Sequence, residues 1–266
     1  MRITEIGEIS LYQSDVLLKF QNLVHGFTTR KGGVSTGEYE SMSLSHFRGD
    51  DINCVRRNEE ILCENLDLDI ERLTSTKQEH TSNIEIIDKI NIGIGVHYEW
   101  GKGVDACITM EKNVPLLCYS ADCVPILMYA EDIGAIAAIH SGWRGTDEKI
   151  AQKTANRLKE LGAAPENIYV AIGPCIGQCC YEVSEDVAEK FGEKYSLPKE
   201  NSKYMLDLAN VNYDLVCDAG VKKENISVSG ICTRCNNDLF FSHRGQNGKS
   251  GTLGGIICMV DPTEKD

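Results

Sequence analysis

Between residues 106 and 139 the chain carries four short runs of apolar and β-branched residues, 106–109, 114–119, 124–130 and 133–139, each bounded by charge, glycine or proline. Runs of this kind, lacking polar alternation, read as strands of a sheet with little solvent contact. Further strands are expected at 24–30, 84–87, 168–172, 226–231, 239–242 and 253–260. Residues 52–66 have helical periodicity through Ile52, Val55, Ile61, Leu62 and Leu66. Residues 147–161 read as an amphipathic helix with Thr146 as N-cap, and Asp147 and Glu148 suit the positive end of its dipole. Helices are also expected at 184–190 and 206–219. The two element types mix without strict βα alternation, and no repeat or linker divides the chain. The expected fold is mixed α+β, a single layered domain over 1–266 with central β-sheets flanked by helices.

A net charge of −13 argues against broad nucleic-acid or anionic-membrane binding, because both need a basic face. It leaves room for a small anionic substrate held by a few local arginines. No run approaches a membrane span or a signal peptide. Twelve cysteines without a secretion signal point to reduced thiols and a cytoplasmic setting.

Three segments hold more chemistry than packing requires: Lys77-Gln78-Glu79-His80, Ser120-Ala121-Asp122-Cys123-Val124-Pro125 and His140-Ser141-Gly142-Trp143-Arg144-Gly145. His80, Cys123 and His140 supply an N,N,S set that catalytic zinc accepts, with a fourth position left for water. If Glu131-Asp132 makes a tight hairpin turn, Cys123 pairs directly with His140, at a Cβ separation of roughly 5 Å. A longer turn using Gly134 would slip that register. His25, His46, His97 and His243 are reserve ligands. Asp122, beside the cysteine, is the candidate for moving protons, with bracing of the loop as its alternative.

Arg30, Arg48, Arg144 and Arg244 each lie in a Gly- or Ser-rich turn near a strand end, where a guanidinium fork can meet phosphate or carboxylate. Arg30 and Arg144 sit in the more unusual loops. Cys232-Thr233-Arg234-Cys235 has the spacing of a redox pair or half a zinc knuckle, and Cys175, Cys179 and Cys180 offer another half. Without a βαβ context, packing is the reading adopted for these thiols. The turn Gly173-Pro174-Cys175-Ile176-Gly177 and Trp143 are candidate pocket walls.

Taken in order, the segments resemble the bacterial multicopper-polyphenol-oxidase-like (laccase-domain) family of purine nucleoside phosphorylases. The resemblance runs from His25-Gly26-Phe27-Thr28-Thr29-Arg30-Lys31-Gly32-Gly33 through Gln78-Glu79-His80, Asp105-Ala106, the Asp122-Cys123 and His140 segments, and Cys180-Tyr181-Glu182-Val183 to Phe241-Ser242-His243-Arg244. It implies zinc on His80, Cys123 and His140, and a fold similar to the catalytic domain of cytotoxic necrotizing factor. It also implies catalytic parts for Arg30, Asp122, Cys123 and His140, and substrate contacts from Ser43, Arg48, Arg144 and Arg244. The implied activities are phosphorolysis of adenosine, inosine, guanosine and S-methyl-5′-thioadenosine, with accompanying adenosine deamination. The implied partners are purine nucleosides and inorganic phosphate, with no nucleic acid or membrane; oligomeric state is left open, a monomer included. Copper oxidase chemistry fits poorly, since it needs many more histidines than six. The chain departs from the family in having Ser43 where Asn is usual, and no Arg in the closing turn Lys249-Ser250-Gly251-Thr252. Three other readings stay open: a Cys123–His140 thiol hydrolase or amidase, a peptidoglycan-precursor editing enzyme, and a non-catalytic zinc- or purine-binding protein.

Overall fold

The computed structural model describes residues 1–261. In chain order the strands are β1 (Arg2–Ile6), β2 (Ile9–Gln13), β3 (Leu23–Thr28), β4 (Thr74–Ser75), β5 (Ile84–Ile87), β6 (Ala106–Thr109), β7 (Leu116–Ser120), β8 (Val124–Ala130), β9 (Ala135–Ser141), β10 (Ile168–Ile172), β11 (Glu182–Ser184), β12 (Ser196–Lys199), β13 (Lys203–Leu206), β14 (Ile226–Val228) and β15 (Leu253–Met259). They form one six-stranded sheet in the order β1-β2-β3-β15-β7-β4, a second in the order β14-β10-β8-β9-β6-β5, and a small sheet β11-β13-β12. The helices are α1 (Asp15–Leu18), α2 (Ile52–Leu66), α3 (Trp143–Asp147), α4 (Ile150–Glu160), α5 (Glu185–Ala188) and α6 (Leu208–Asp218).

The two large sheets pack face to face, which explains why β8, β9 and β15 are buried along their whole length. Successive side chains alternate faces. Leu127 and Tyr129 of β8, with Ile136 and Ala138 of β9, meet Leu116, Cys118, Ile257 and Met259 of the first sheet. The alternate residues Val124, Ile126, Met128, Ala137 and Ile139 join a second core with Ile150, Ala155 and Leu158 of α4 and Leu208 and Val216 of α6. On the far side, Leu117, Tyr119 and Ile256 pack with Ile61, Leu62 and Leu66 of α2. The layers therefore run helix, sheet, sheet, helix. Each large side chain buried this way contributes roughly 1.5–3 kcal/mol. Among the described residues no helix is long and apolar enough to cross a membrane.

Several expectations need correction. The β8–β9 turn has four residues, Glu131 to Gly134, because Ala130 pairs with Ala135. Gly134 turns the chain at φ 58°, a conformation glycine adopts at little cost. His140 consequently pairs with Pro125, two residues beyond Cys123. The 147–161 helix is split, with Lys149 at φ 63° between α3 and α4. Thr146 lies inside α3, whose N-cap is Gly142. Its hydroxyl donates to the Gly142 carbonyl and meets Ser141 Oγ and Asn212 Nδ2, so it pins α3 to β9 and α6 instead of capping. Residues 239–242 are not a strand; Phe240 and Phe241 are fully buried plugs beside Ala121 and Leu253. The N-terminal β1–β2 hairpin and the small third sheet were not anticipated.

Candidate active site

At one end of the sandwich the start of β8, the end of β9 and the start of β6 converge, as the pairs Val124–Ser141 and Ala106–Ile139 require. Cys123 precedes β8, His140 is the last residue but one of β9 and Asp105 precedes β6. A register slip of two leaves the alternation of faces unchanged, so the sulfur still reaches the imidazole, now diagonally instead of across the ladder. His80 arrives on the loop after β4, at φ 59°. One ligand atom from each of His80, Cys123 and His140 lies within 4.8 Å of the other two. Cys123 Sγ is 3.9 Å from His80 Nε2, and the two imidazole rings stand nearly perpendicular with centroids 4.9 Å apart.

Asp105 holds this arrangement, and sequence reasoning assigned it no role. Its fully buried carboxylate accepts from His140 Nδ1 at 2.8 Å. It also accepts from the backbone N–H groups of Glu79, His80 and Thr81 and from the Thr81 hydroxyl. One side chain thus orients the imidazole, leaving Nε2 toward Cys123, and fixes the loop that delivers His80. The available signal was a lone carboxylate at the mouth of a wholly apolar strand. Gln78 secures the same loop to β7, accepting from Tyr119 N–H and donating to its carbonyl. Gly142 is the third support. A Cβ there would lie 2.7 Å from His80 Cδ2 and 3.2 Å from Cys123 Sγ, so any side chain would enter the space the donors enclose.

Burial pushes the Cys123 thiol up, but the charge and hydrogen bonds of His140, then His80, outweigh it and bring it down to about 6. Burial pushes His140 down, and Cys123 and Asp105 together raise it to about 9. Burial also opposes the charge on Asp105, whose carboxyl is nevertheless held below its usual range by His140 and Thr81. The site therefore stabilises a thiolate at neutral pH. Two imidazoles and a thiolate suit a borderline divalent ion.

His80 and Cys123 open onto a cleft of about 300 Å³ walled by Arg48, Asp122, Trp143, Ile176, Tyr181, Leu208, His243 and Arg244. A narrower cavity lined by all three donors reaches Ser45, Phe47, Tyr119 and Thr252.

The family model described as multi-copper polyphenol oxidoreductase laccase matches residues 24–260. The chain belongs to that family. A purine nucleoside phosphorylase of Bacteroides thetaiotaomicron is 37% identical over 266 residues, covering 96% of this chain and 98% of the relative. The adenosine deaminase RL5, from an unknown prokaryotic organism, is 31% identical over 88% of this chain and 93% of its own. The crystal structure of YlmD from Geobacillus stearothermophilus superposes with a TM-score of 0.88 at 33% identity, covering 97% of this chain and 98% of that one.

In this laccase-family chain the other candidates separate. Arg48, Asp122 and Arg244 line the cleft with His80 and Cys123. Arg30 does not: its Nε and Nη1 donate to the carbonyls of Glu40 and Asn237, and its guanidinium covers Phe241. Those bonds make Arg30 a brace for the 30–41 loop. Ser43 is fully buried away from the cleft, and its hydroxyl accepts from Thr252 N–H. Arg144 is exposed, stacked on Trp143 with 4.3 Å to the ring centroid. The Asp122 carboxylate is occupied, accepting from Thr233 Oγ1 at 2.6 Å and Arg244 N–H at 2.7 Å. Its geometry is that of a brace, the alternative to a proton carrier.

Among the reserve histidines, His25 is buried in the first sheet, His46 meets Glu59 and His97 meets the Ile70 carbonyl. His243 alone of the four lines the cleft, with Nδ1 buried and unpaired among the described residues. Burial first, then Arg48, holds its pKa below the usual value. Nothing in the spacing distinguished it; folding of the 242–244 turn onto Asp122 does. The packing reading of the C-x-x-C thiols is also overturned. Cys179 and Cys235 are exposed and meet Cys180 and Cys232, while Cys175 stays buried outside that group.

Proposed function

We propose that the protein is a zinc-dependent purine nucleoside phosphorylase, cleaving adenosine, inosine, guanosine and S-methyl-5′-thioadenosine with inorganic phosphate, and that the same cleft deaminates adenosine. The observation that carries this reading is a cleft with His80 and Cys123 of the two-histidine, one-cysteine group on its floor and Arg48, His243 and Arg244 on its rim. Relatives named for both activities support it. We read residues 1–266 as one domain, working in the cytoplasm, which agrees with twelve free cysteines.

In this reading His80, Cys123 and the Asp105-oriented His140 hold the metal. Zinc held there supplies a Lewis-acid centre and acidifies water. Arg48 and Arg244 grip phosphate, and Asp122 sets Arg244 by accepting its backbone N–H. Tyr181 and Trp143 wall the purine, with Ile176 and Leu208 excluding water. In phosphorolysis a phosphate oxygen bonds to ribose C1′ as the bond to purine N9 breaks, and the departing base takes the electron pair and needs a proton. That proton is the one the attacking hydrogen phosphate gives up, and His243, on the cleft wall with its pKa held below the usual value by burial and then Arg48, is the imidazole placed to accept it and pass it to the base. Deamination adds water at purine C6 and releases ammonia.

A second reading has one specific observation in its favour. The Cys123 thiol near 6 beside His140 near 9 is a thiolate–imidazolium pair, the nucleophile of a thiol hydrolase. One experiment separates the two: adenosine is incubated with and without phosphate and the products resolved. Phosphate-dependent adenine and ribose phosphate, with inosine as the deamination product, are expected, and His80→Ala abolishes both. Full turnover by His80→Ala defeats the shared site. Amide hydrolysis lost on Cys123 alkylation, with no nucleoside cleavage, selects the thiol hydrolase.

A further inference from the structure

We propose that Cys179, Cys180, Cys232 and Cys235 form a second metal site, a tetrathiolate that binds one structural Zn²⁺ on the outer wall of the cleft. This inference is independent of what the cleft turns over.

The sulfurs are arranged around a common point instead of in pairs. Cys179 Sγ is 3.7 Å from both Cys180 Sγ and Cys235 Sγ, Cys180 Sγ is 3.4 Å from Cys235 Sγ, and all four lie within 4.8 Å of one another. Tetrahedral zinc with bonds of about 2.3 Å sets its sulfurs roughly 3.8 Å apart. A disulfide would draw two sulfurs to about 2 Å and leave the others out. An iron–sulfur cluster would hold its thiolates further apart, because the cluster itself fills the centre.

The backbone is shaped for the same purpose. Cys179 and Cys180 sit on a turn in which the N–H groups of Cys180 and Tyr181 donate to the Gly177 carbonyl. Cys232 bridges to Cys175, and Asn236 N–H and Nδ2 both donate to the Cys232 carbonyl, curling the chain so that Cys235 returns to the group. A Cβ on Gly177 would lie 3.1 Å from Cys232 Cβ and 3.3 Å from Cys179 Sγ. Backbone hydrogen bonds from Gly177 and Cys235 reach the Cys232 sulfur and overcome the burial that opposes its charge. Four thiols this close crowd one another, and a dication relieves that crowding as they release their protons to solvent. Cys232 is buried while Cys179 and Cys235 are exposed, which leaves an entry path for the ion.

All four ligands are satisfied by protein, so the site has no corner for substrate and its role is structural. It staples residues 175–181 to 231–236. Neither segment is held by an extended ladder, yet Ile176 N–H and Thr233 Oγ1 both donate to Asp122, which sets Arg244.

The test uses the full chain purified under reducing conditions. His80→Ala/His140→Ala removes two ligands of the first group, and zinc per chain is measured together with X-ray absorption at the zinc edge. One equivalent with four sulfur neighbours at about 2.3 Å is expected, and Cys179→Ser/Cys235→Ser in that background removes it. No zinc in the histidine variant, or zinc with nitrogen and oxygen neighbours, overturns the proposal. Should the histidine variant fail to fold, Co²⁺ exchange into the unaltered protein decides the matter. The intense visible bands of a four-sulfur tetrahedron support the site, and their absence rejects it.

Discussion

The two thiol-bearing groups of this protein are built by opposite means. The His80–Cys123–His140 group stands on the ends of buried strands, braced by one carboxylate and opened by one glycine, and it faces a cleft. The four-cysteine group hangs on two loops at the surface and has sulfur on every side. A sheet end can hold three donors and keep a fourth direction free for chemistry. Loops without a sheet behind them need the ion to hold them. The first group thus depends on the fold, and around the second the fold depends on the group.

The sharpest way to break this contrast is to fill each glycine. Gly142→Ala inserts a methyl 2.7 Å from His80 Cδ2; overpacking of this kind costs about 1–3 kcal/mol. Loss of metal from the first group and of nucleoside turnover is expected, with the four-sulfur zinc retained on metal analysis. Gly177→Ala should do the reverse, and equal losses from both variants would erase the distinction. Next in size is Asp105→Asn, which keeps the shape but removes the charge behind His140. A fall of about 10–100-fold in metal affinity at the first group is expected from competitive chelation, and an unchanged affinity would show that strand geometry alone suffices.

Acid is the mildest lever. His25, fully buried on β3, is brought down to about 4 by burial, against an unfolded value of about 6.5. A histidine depressed in the fold contributes stability above the unfolded value, and that stability is lost as pH falls toward the folded one. Between pH 7 and pH 5 the unfolding free energy should drop by about 2 kcal/mol. Urea titrations at the two pH values should show this drop in the protein and not in His25→Gln. A drop of equal size in His25→Gln would move the acid sensitivity to the metal-binding groups.

What was legible in the sequence follows the same divide. The strands 84–87, 106–109, 124–130 and 168–172 were readable to the residue, because short β-branched or apolar runs bounded by charge, turn residues or proline mark them, most plainly where burial on both faces leaves 124–130 without a charged residue. The 52–66 helix was equally plain from its stripe. The meeting of His80, Cys123 and His140 was anticipated through a register wrong by two, and it survived because an even slip preserves the face. Asp105 was given no role, and His243 stood only among four reserve ligands, because their partners lie on other elements, invisible to spacing. By resemblance Arg30 has a catalytic part and Ser43 a substrate contact, and in the fold their polar atoms meet Glu40, Asn237 and Thr252. The helix break at Lys149 escaped notice because nothing in an amphipathic pattern marks a left-handed residue. The cysteine group was misread because its halves are over fifty residues apart and two of its members are exposed, where thiols are not expected to pack.

Because Asp105 positions His140 and the incoming loop through protein hydrogen bonds alone, the triad is preorganised before any ion arrives. Such a corner presents two nitrogens and one sulfur in a fixed arrangement, so an ion must accept that geometry or distort it, which works against the bare Irving–Williams preference for copper. Occupancy then follows fit as well as supply, and metal analysis of protein grown in media of different copper and zinc content separates the two.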